Sequence, residues 1–362
     1  MLPPWPQGEG PARSVGGVVQ GFNGVIKNII RTFMIDILLL IAGLALILVG
    51  ANYLVDGASH VAKRLGMSDF IIGMTIVGIG TSTPEMVVSF ASAIKGNADI
   101  AVGNVLGSNL FNTLMILGIT SLFTPIALTL NNVKKDIPFS LLAAFVLCVM
   151  GCGVWLDGAA ANSISRVNGI MLLSLFGVFM AYTIYSGSSQ AAIADGGASE
   201  EELSGSKKLP SVWVSVAMIL GGLCGLVFGG DMFVNAASAI ARSLGVSDAV
   251  IAVTIVAGGT SMPELASCVV AALKKNTDQA LGNVIGSNVS NIFLILGGSA
   301  TIHPLVMNGV KPLDLITLMV SSILVFLFAF TFKKKSIDRI EGAILVCIYI
   351  AFVVLTLGSL DN

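Results

Sequence analysis

The chemistry of this chain concentrates in Gly80-Thr81-Ser82-Thr83-Pro84-Glu85, which lies inside an apolar run from Phe70 to Ile94. A run of that length can cross a bilayer, for which about 20 mostly apolar residues suffice. A carboxylate at mid-span costs about 2.5–3.5 kcal/mol on insertion scales. Pro84 adds a second cost, because it lacks an N–H and frees a carbonyl that lipid cannot satisfy. The stretch recurs as Gly259-Thr260-Ser261-Met262-Pro263-Glu264, within the run Ala249 to Leu273. Two such segments at corresponding places in two halves predict one shared site at the membrane midplane.

Thr81 and Ser82 precede Glu85 by four and three residues, which on a continuous helix puts them on its face. Pro84 cannot donate to the carbonyl of Gly80, nor Pro263 to that of Gly259. Gly78, Gly80, Gly258 and Gly259 let the backbone open there. Glu85 stands ten residues before Lys95, which is about 15 Å, or half of a roughly 30 Å core. The chain turns at Gly96-Asn97-Ala98-Asp99, and Asn112 returns to the same depth with Ser108 one turn away. Glu264 to Lys274 and Asp278 to Asn291 repeat the arrangement.

Carboxylates, hydroxyls, amides and bare carbonyls are thus expected together, with no His, Cys, Lys or Arg among them. An all-oxygen set suits Ca²⁺ and Na⁺ and not zinc or copper. The absence of buried bases argues against an anionic substrate. Two facing carboxylates carry a charge of about −2, costly to move uncompensated through a closed, water-free state. One Ca²⁺ cancels it, and so do two or more Na⁺, so a site that rearranges only when filled is an exchanger. The plainer alternatives are acids satisfied by a neighbouring helix and, for Asn112 and Asn291, interhelical hydrogen bonding. For Asn104 and Asn283, packing or capping stands beside ligation.

Ten apolar runs must position these groups: 34–56, 69–95, 100–122, 137–156, 167–186, 211–234, 248–273, 279–300, 313–332 and 340–359. The chain is 55% hydrophobic and 11% charged, with mean hydropathy +0.93, which marks an integral membrane protein. A net charge of −1 gives no footing for nucleic acid. The five cysteines fall in apolar runs and read as small buried residues. No nucleophile–base pair within the spans suggests an enzyme, and no cofactor is implied.

Subtracting 179 lays the second half on the first: Gly103-Asn104-Val105 on Gly282-Asn283-Val284, Gly107-Ser108-Asn109 on Gly286-Ser287-Asn288, Asn112 on Asn291, Pro125 on Pro304, and Thr75-Ile76-Val77 on Thr254-Ile255-Val256. Five spans per half is an odd number, so the halves run antiparallel across the membrane. The expected fold is therefore all-α, with ten transmembrane helices in two inverted five-helix repeats. The expected parts are an N-terminal extension (1–33, dispensable), a first repeat (34–186), a cytoplasmic linker (187–210) containing Glu200-Glu201-Glu202, and a second repeat (211–362). The odd links between spans hold twelve of the nineteen Lys and Arg residues, so they are expected in the cytoplasm and both termini outside. A cation channel would also fit two-fold symmetry, but broken helices carrying acids favour a transporter.

At these residues the sequence resembles the calcium/cation antiporter superfamily, most closely the prokaryotic sodium/calcium exchangers. The paired Gly-Thr-Ser-x-Pro-Glu and Gly-Asn-x-x-Gly-Ser-Asn motifs carry the resemblance, which covers about residues 34–360. It implies a multi-pass protein of a prokaryotic cell membrane, working as a monomer, that runs Na⁺ inward and Ca²⁺ outward. It implies Glu85 and Glu264 as calcium ligands. It further implies hydroxyl ligands for Na⁺ at Thr81, Ser82, Thr260, Ser261, Ser108 and Ser287, and carbonyl ligands at Gly78 and Ala257. Asn291 departs from the pattern: archaeal exchangers and the potassium-dependent branch carry Asp there. An amide keeps an oxygen and gives up a charge, which weighs against potassium co-transport. Proton/calcium antiport remains the alternative, since the superfamily includes such members.

Overall fold

The computed structural model describes residues 12–158, 160–194, 210–245, 257–330 and 336–358. The acidic run at 200–202, most of the expected linker, residues 248–256 of the seventh expected span and the repeat positions Thr254 to Val256 lie outside them.

The chain opens with α1 (Ala12–Leu65), which passes the expected boundary at 33/34 without a break. The second expected span is two helices, α2 (Asp69–Thr81) and α3 (Thr83–Ile94), bent by 47° at Ser82. There follow α4 (Ala98–Phe123), β1 (Ile126–Ala127), α5 (Ile137–Met150), α6 (Gly153–Asp157), β2 (Ser163–Ile164) and α7 (Arg166–Ala194). The second half contains α8 (Val212–Ser243), the single turn α9 (Ala257–Gly259), α10 (Met262–Leu273), α11 (Thr277–Ile302), β3 (Leu305–Val306), α12 (Pro312–Phe328), β4 (Ser336–Ile337) and α13 (Arg339–Gly358). Among the described residues six helices are long and apolar enough to cross a membrane, or seven if α2 and α3 form one bent span. By the same measure α10 and α12 are shorter apolar helices.

Polarity sorts these helices into layers. The most apolar 18-residue windows of α1 and α13 have mean hydropathies of 2.7 and 2.5 and are only 17% buried. Those of α4 and α11 are weaker, at 1.5 and 1.4, and are 72% and 94% buried. A helix carrying Asn, Ser and Gly on several faces cannot meet lipid, so these two take the centre and the apolar helices surround them. Close approach needs glycine: a Cβ on Gly282 or Gly286 of α11 would collide with the carbonyls of Phe70 and Met74 on α2. Both central helices contain a wider π turn, Phe111–Ile116 and Asn291–Leu296, each at its candidate asparagine.

Two short ladders amend the all-α expectation. β1 pairs antiparallel with β4, Ile126 opposite Ile337, and β2 with β3, Ile164 opposite Leu305. All four of these residues are fully buried. Their origin is local: Pro125 and Pro304 push the preceding Thr124 and His303 into extended backbone, which ends α4 and α11 and starts β1 and β3.

Candidate functional site

Pro84 and Pro263 stand at the start of α3 and α10, where a missing N–H costs nothing. Glu85 and Glu264 therefore lie in first helical turns, and acids are favourable there. The break corrects one expectation. Because α2 ends at Thr81, neither Thr81 nor Ser82 stacks beneath Glu85 on a continuous helix. Ser82 instead reaches across the repeats, its hydroxyl donating to Glu264 Oε1 at 2.8 Å. Ser261 returns the contact, donating to Glu85 Oε1 at 2.9 Å. Each half thus holds the other half's carboxylate.

Both acids are buried in the protein, at 0% and 1% exposure. Ser108 of α4 donates to Glu85 Oε1 at 3.4 Å. Ser287 breaks the symmetry: its hydrogen bonds go to the carbonyl of Gly78 at 3.1 Å and to Asn283 Oδ1 at 3.4 Å. Thr81 donates to Val77 O at 3.0 Å and lies 3.2 Å from Asn283 Oδ1. Thr260 is half-buried with its hydroxyl unpartnered, and Ala257 opens the single turn before it. Asn112 and Asn291 are fully buried at their π turns, and Asn112 Oδ1 and both polar atoms of Asn291 have no hydrogen-bond partner. Oε2 of Glu85 and of Glu264 is likewise unpartnered. The carbonyl freed by Pro84 is not bare, for Thr83 donates to Gly80 O at 2.7 Å. Met262 replaces Thr83 in the second half, and no hydroxyl stands there.

Asn104 and Asn283 turn out to brace the two hairpins. Asn104 Nδ2 donates to Glu85 O at 3.1 Å and to Ser89 at 2.9 Å. Asn283 Nδ2 donates to Ser267 at 2.7 Å and to Cys268 at 3.2 Å, and Cys268 is the counterpart of Ser89. Ser89, Ser267 and Cys268 were missed in the sequence; the signal was a polar atom one turn beyond each Glu, facing the returning helix. No cluster of three or more His, Cys, Asp or Glu suited to a metal occurs among the described residues. Among the candidate residues Glu85 and Glu264 are the acids, and the others offer neutral oxygens.

Comparison with known proteins identifies the family. The family described as sodium/calcium exchanger protein matches residues 35–185 and 214–358. The putative antiporter CaxA of Alkalimonas amylolytica is 34% identical over 328 residues, covering 90% of this chain and all of that protein. The sodium/calcium exchanger MaX1 of Methanosarcina acetivorans is 33% identical over 350 residues, covering 88% and 98%. Among solved structures, the sodium-calcium exchanger NCX_Mj soaked with 10 mM Na⁺ and zero Ca²⁺ superposes with a TM-score of 0.74 at 30% identity, covering 89% of this chain and 99% of that one. The protein is a multi-pass membrane antiporter. It belongs to the sodium/calcium exchanger family.

Proposed function

We propose that the chain exchanges Ca²⁺ for Na⁺ by alternating access, holding either ion between Glu85 and Glu264 at the membrane midplane. One observation carries this reading. The two carboxylates are positioned by serines from opposite repeats, and each keeps a buried, unpartnered oxygen. Buried acceptors without partners are costly, and an all-oxygen set of them suits a hard cation. Asn112, Asn291, Thr260 and the hydroxyls of Thr81, Ser82, Ser108, Ser261 and Ser287 complete the proposed ligand set, with carbonyls of Gly78 and Ala257. In the described form, Ser287 must release Gly78 before that carbonyl can face an ion.

Ten crossings in two inverted repeats fit the contacts between links. The ladders join the third link to the ninth and the fourth to the eighth. Arg64 donates to Pro210 O (first link and fifth), Thr124 to Ala272 O (third and the end of the seventh span), and Arg166 to Ile302 O (fourth and eighth). Odd meets odd and even meets even, as a chain crossing ten times requires. With the positive-inside bias, the odd links face the cytoplasm of a prokaryotic cell. Both acids come from one chain, so a monomer suffices. Asn291 in place of a carboxylate makes transport potassium-independent.

The test is calcium uptake into vesicles containing the purified protein, under a sodium, a potassium or a proton gradient applied alone. Uptake driven by sodium alone is expected. Uptake driven by protons alone would replace this reading with proton/calcium antiport, and uptake with no counter-ion would make the protein a channel.

A further inference from the structure

The two repeats are closed to different degrees, and the closure is chemical. On the α1 side, Lys274 at the α10–α11 turn bonds Asp56 of α1 at 2.7 Å and reaches Asn52 O at 3.4 Å. Beside it, Asn276 donates to Ser59 of α1 at 3.1 Å, and Ser59 donates to Gln279 at 3.2 Å. A cleft of about 560 Å³ lined by Asp56, Ser59, Lys274 and Asn276 opens at this end. Beyond it Thr81 and Ser82 are fully buried.

The offset of 179 maps Asp56 to Asn235, Ser59 to Ser238, Lys274 to Lys95, Asn276 to Asn97 and Gln279 to Ile100. None of these counterparts bonds across. Asn235 and Lys95 are exposed, the Ser238 hydroxyl is buried without a partner, and no hydrogen bond joins α8 to the α3–α4 turn among the described residues. Instead, a cavity of about 450 Å³ lined by Val88, Asp231, Asn235 and Thr260 leads to the half-buried threonine of the second motif. One gate is therefore bridged by an ion pair and three hydrogen bonds. At the other, an amide stands where the latch has its carboxylate, and an isoleucine where it has its glutamine.

We propose that Asp56, Ser59, Lys274, Asn276 and Gln279 are positioning residues that latch the α1-side gate. The Asp56/Asn235 difference then sets the side to which the ion-free protein rests open, namely the α8 side. This rests on the alternating-access reading above. It goes further, because symmetric repeats alone would populate both states equally, and a bias needs differential contacts.

Cysteine labelling tests it. In the full-length chain with all five cysteines replaced by serine, and exchange retained, one reporter is Val88→Cys in the α8-side cavity. The other is Ala266→Cys, on α10 between Glu264 and Lys274. Labelling by a charged thiol reagent is followed in the absence of Na⁺ and Ca²⁺. Asp56→Asn is expected to speed labelling at 266 and slow it at 88 by about three- to five-fold, the range of a half-exposed ion pair. Asn235→Asp, which offers Lys95 a carboxylate, slows labelling at 88. The reversal Asp56→Lys with Lys274→Asp restores the original rates, which a general loss of packing would not. Unchanged rates at both reporters in a variant that still exchanges would overturn the latch. Shifted rates without any sodium-driven calcium uptake would sink the exchange reading and leave the latch standing.

Discussion

Ser82 and Ser261 each serve the acid of the opposite half, so their loss should act on ion binding and not on folding alone. Ser82→Ala removes the serine hydroxyl on Glu264, and Ser261→Ala removes the shorter of two on Glu85, where Ser108 remains. A hydrogen bond to a charged group is worth about 1.5–3 kcal/mol. Each variant should therefore raise the calcium concentration for half-maximal uptake by about ten-fold or more, with Ser261→Ala the milder because Ser108 still serves Glu85. Ser287→Ala, which leaves both carboxylates with their hydroxyls, should change it less. Asn283 behaves differently. It is 1% exposed and ties Ser267, Cys268 and Thr81 together. Asn283→Ala should cost about 2–4 kcal/mol of stability, read as a lower melting temperature of the purified protein. The burial of Glu85 and Glu264 was legible from sequence because a carboxylate in an apolar run stands out. The exchange of serines was not, because it depends on where the helix breaks.

Proline and glycine shape the elements, and their effects separate cleanly. Pro84 and Thr83 act together at the α2–α3 break, one removing a donor and the other supplying a hydroxyl to Gly80 O. Pro84→Ala restores an N–H and allows a continuous helix, which would swing Glu85 away from Ser261. Calcium uptake should fall at least ten-fold while the protein stays monodisperse. Gly286→Ala tests packing: its Cβ would meet the carbonyl of Met74, backbone that cannot move aside cheaply. Destabilisation above about 2 kcal/mol is expected, measured by thermal unfolding. Among the described residues, six of the expected spans, or seven with the bent pair α2–α3, were legible as apolar runs. The β ladders were not, since two-residue strands carry no periodicity. Pro125 and Pro304 marked only where helices had to stop. The π turns were also silent, because they follow from packing of the central helices and not from local propensity.

At the scale of the whole molecule, buried charge is the governing quantity. Glu85 and Glu264, one from each repeat, lie buried against each other's serines, with oxygens left over for a cation. A chain beginning at Met34 keeps every group of this site and should exchange normally, although α1 runs continuously through that point. The most direct measurement is equilibrium calcium binding to the purified full-length protein, with sodium as competitor. The wild type should bind calcium saturably and release it as sodium rises, and Glu85→Gln or Glu264→Gln alone should abolish that binding. Sodium-sensitive calcium binding that survives with both glutamates replaced would contradict the account.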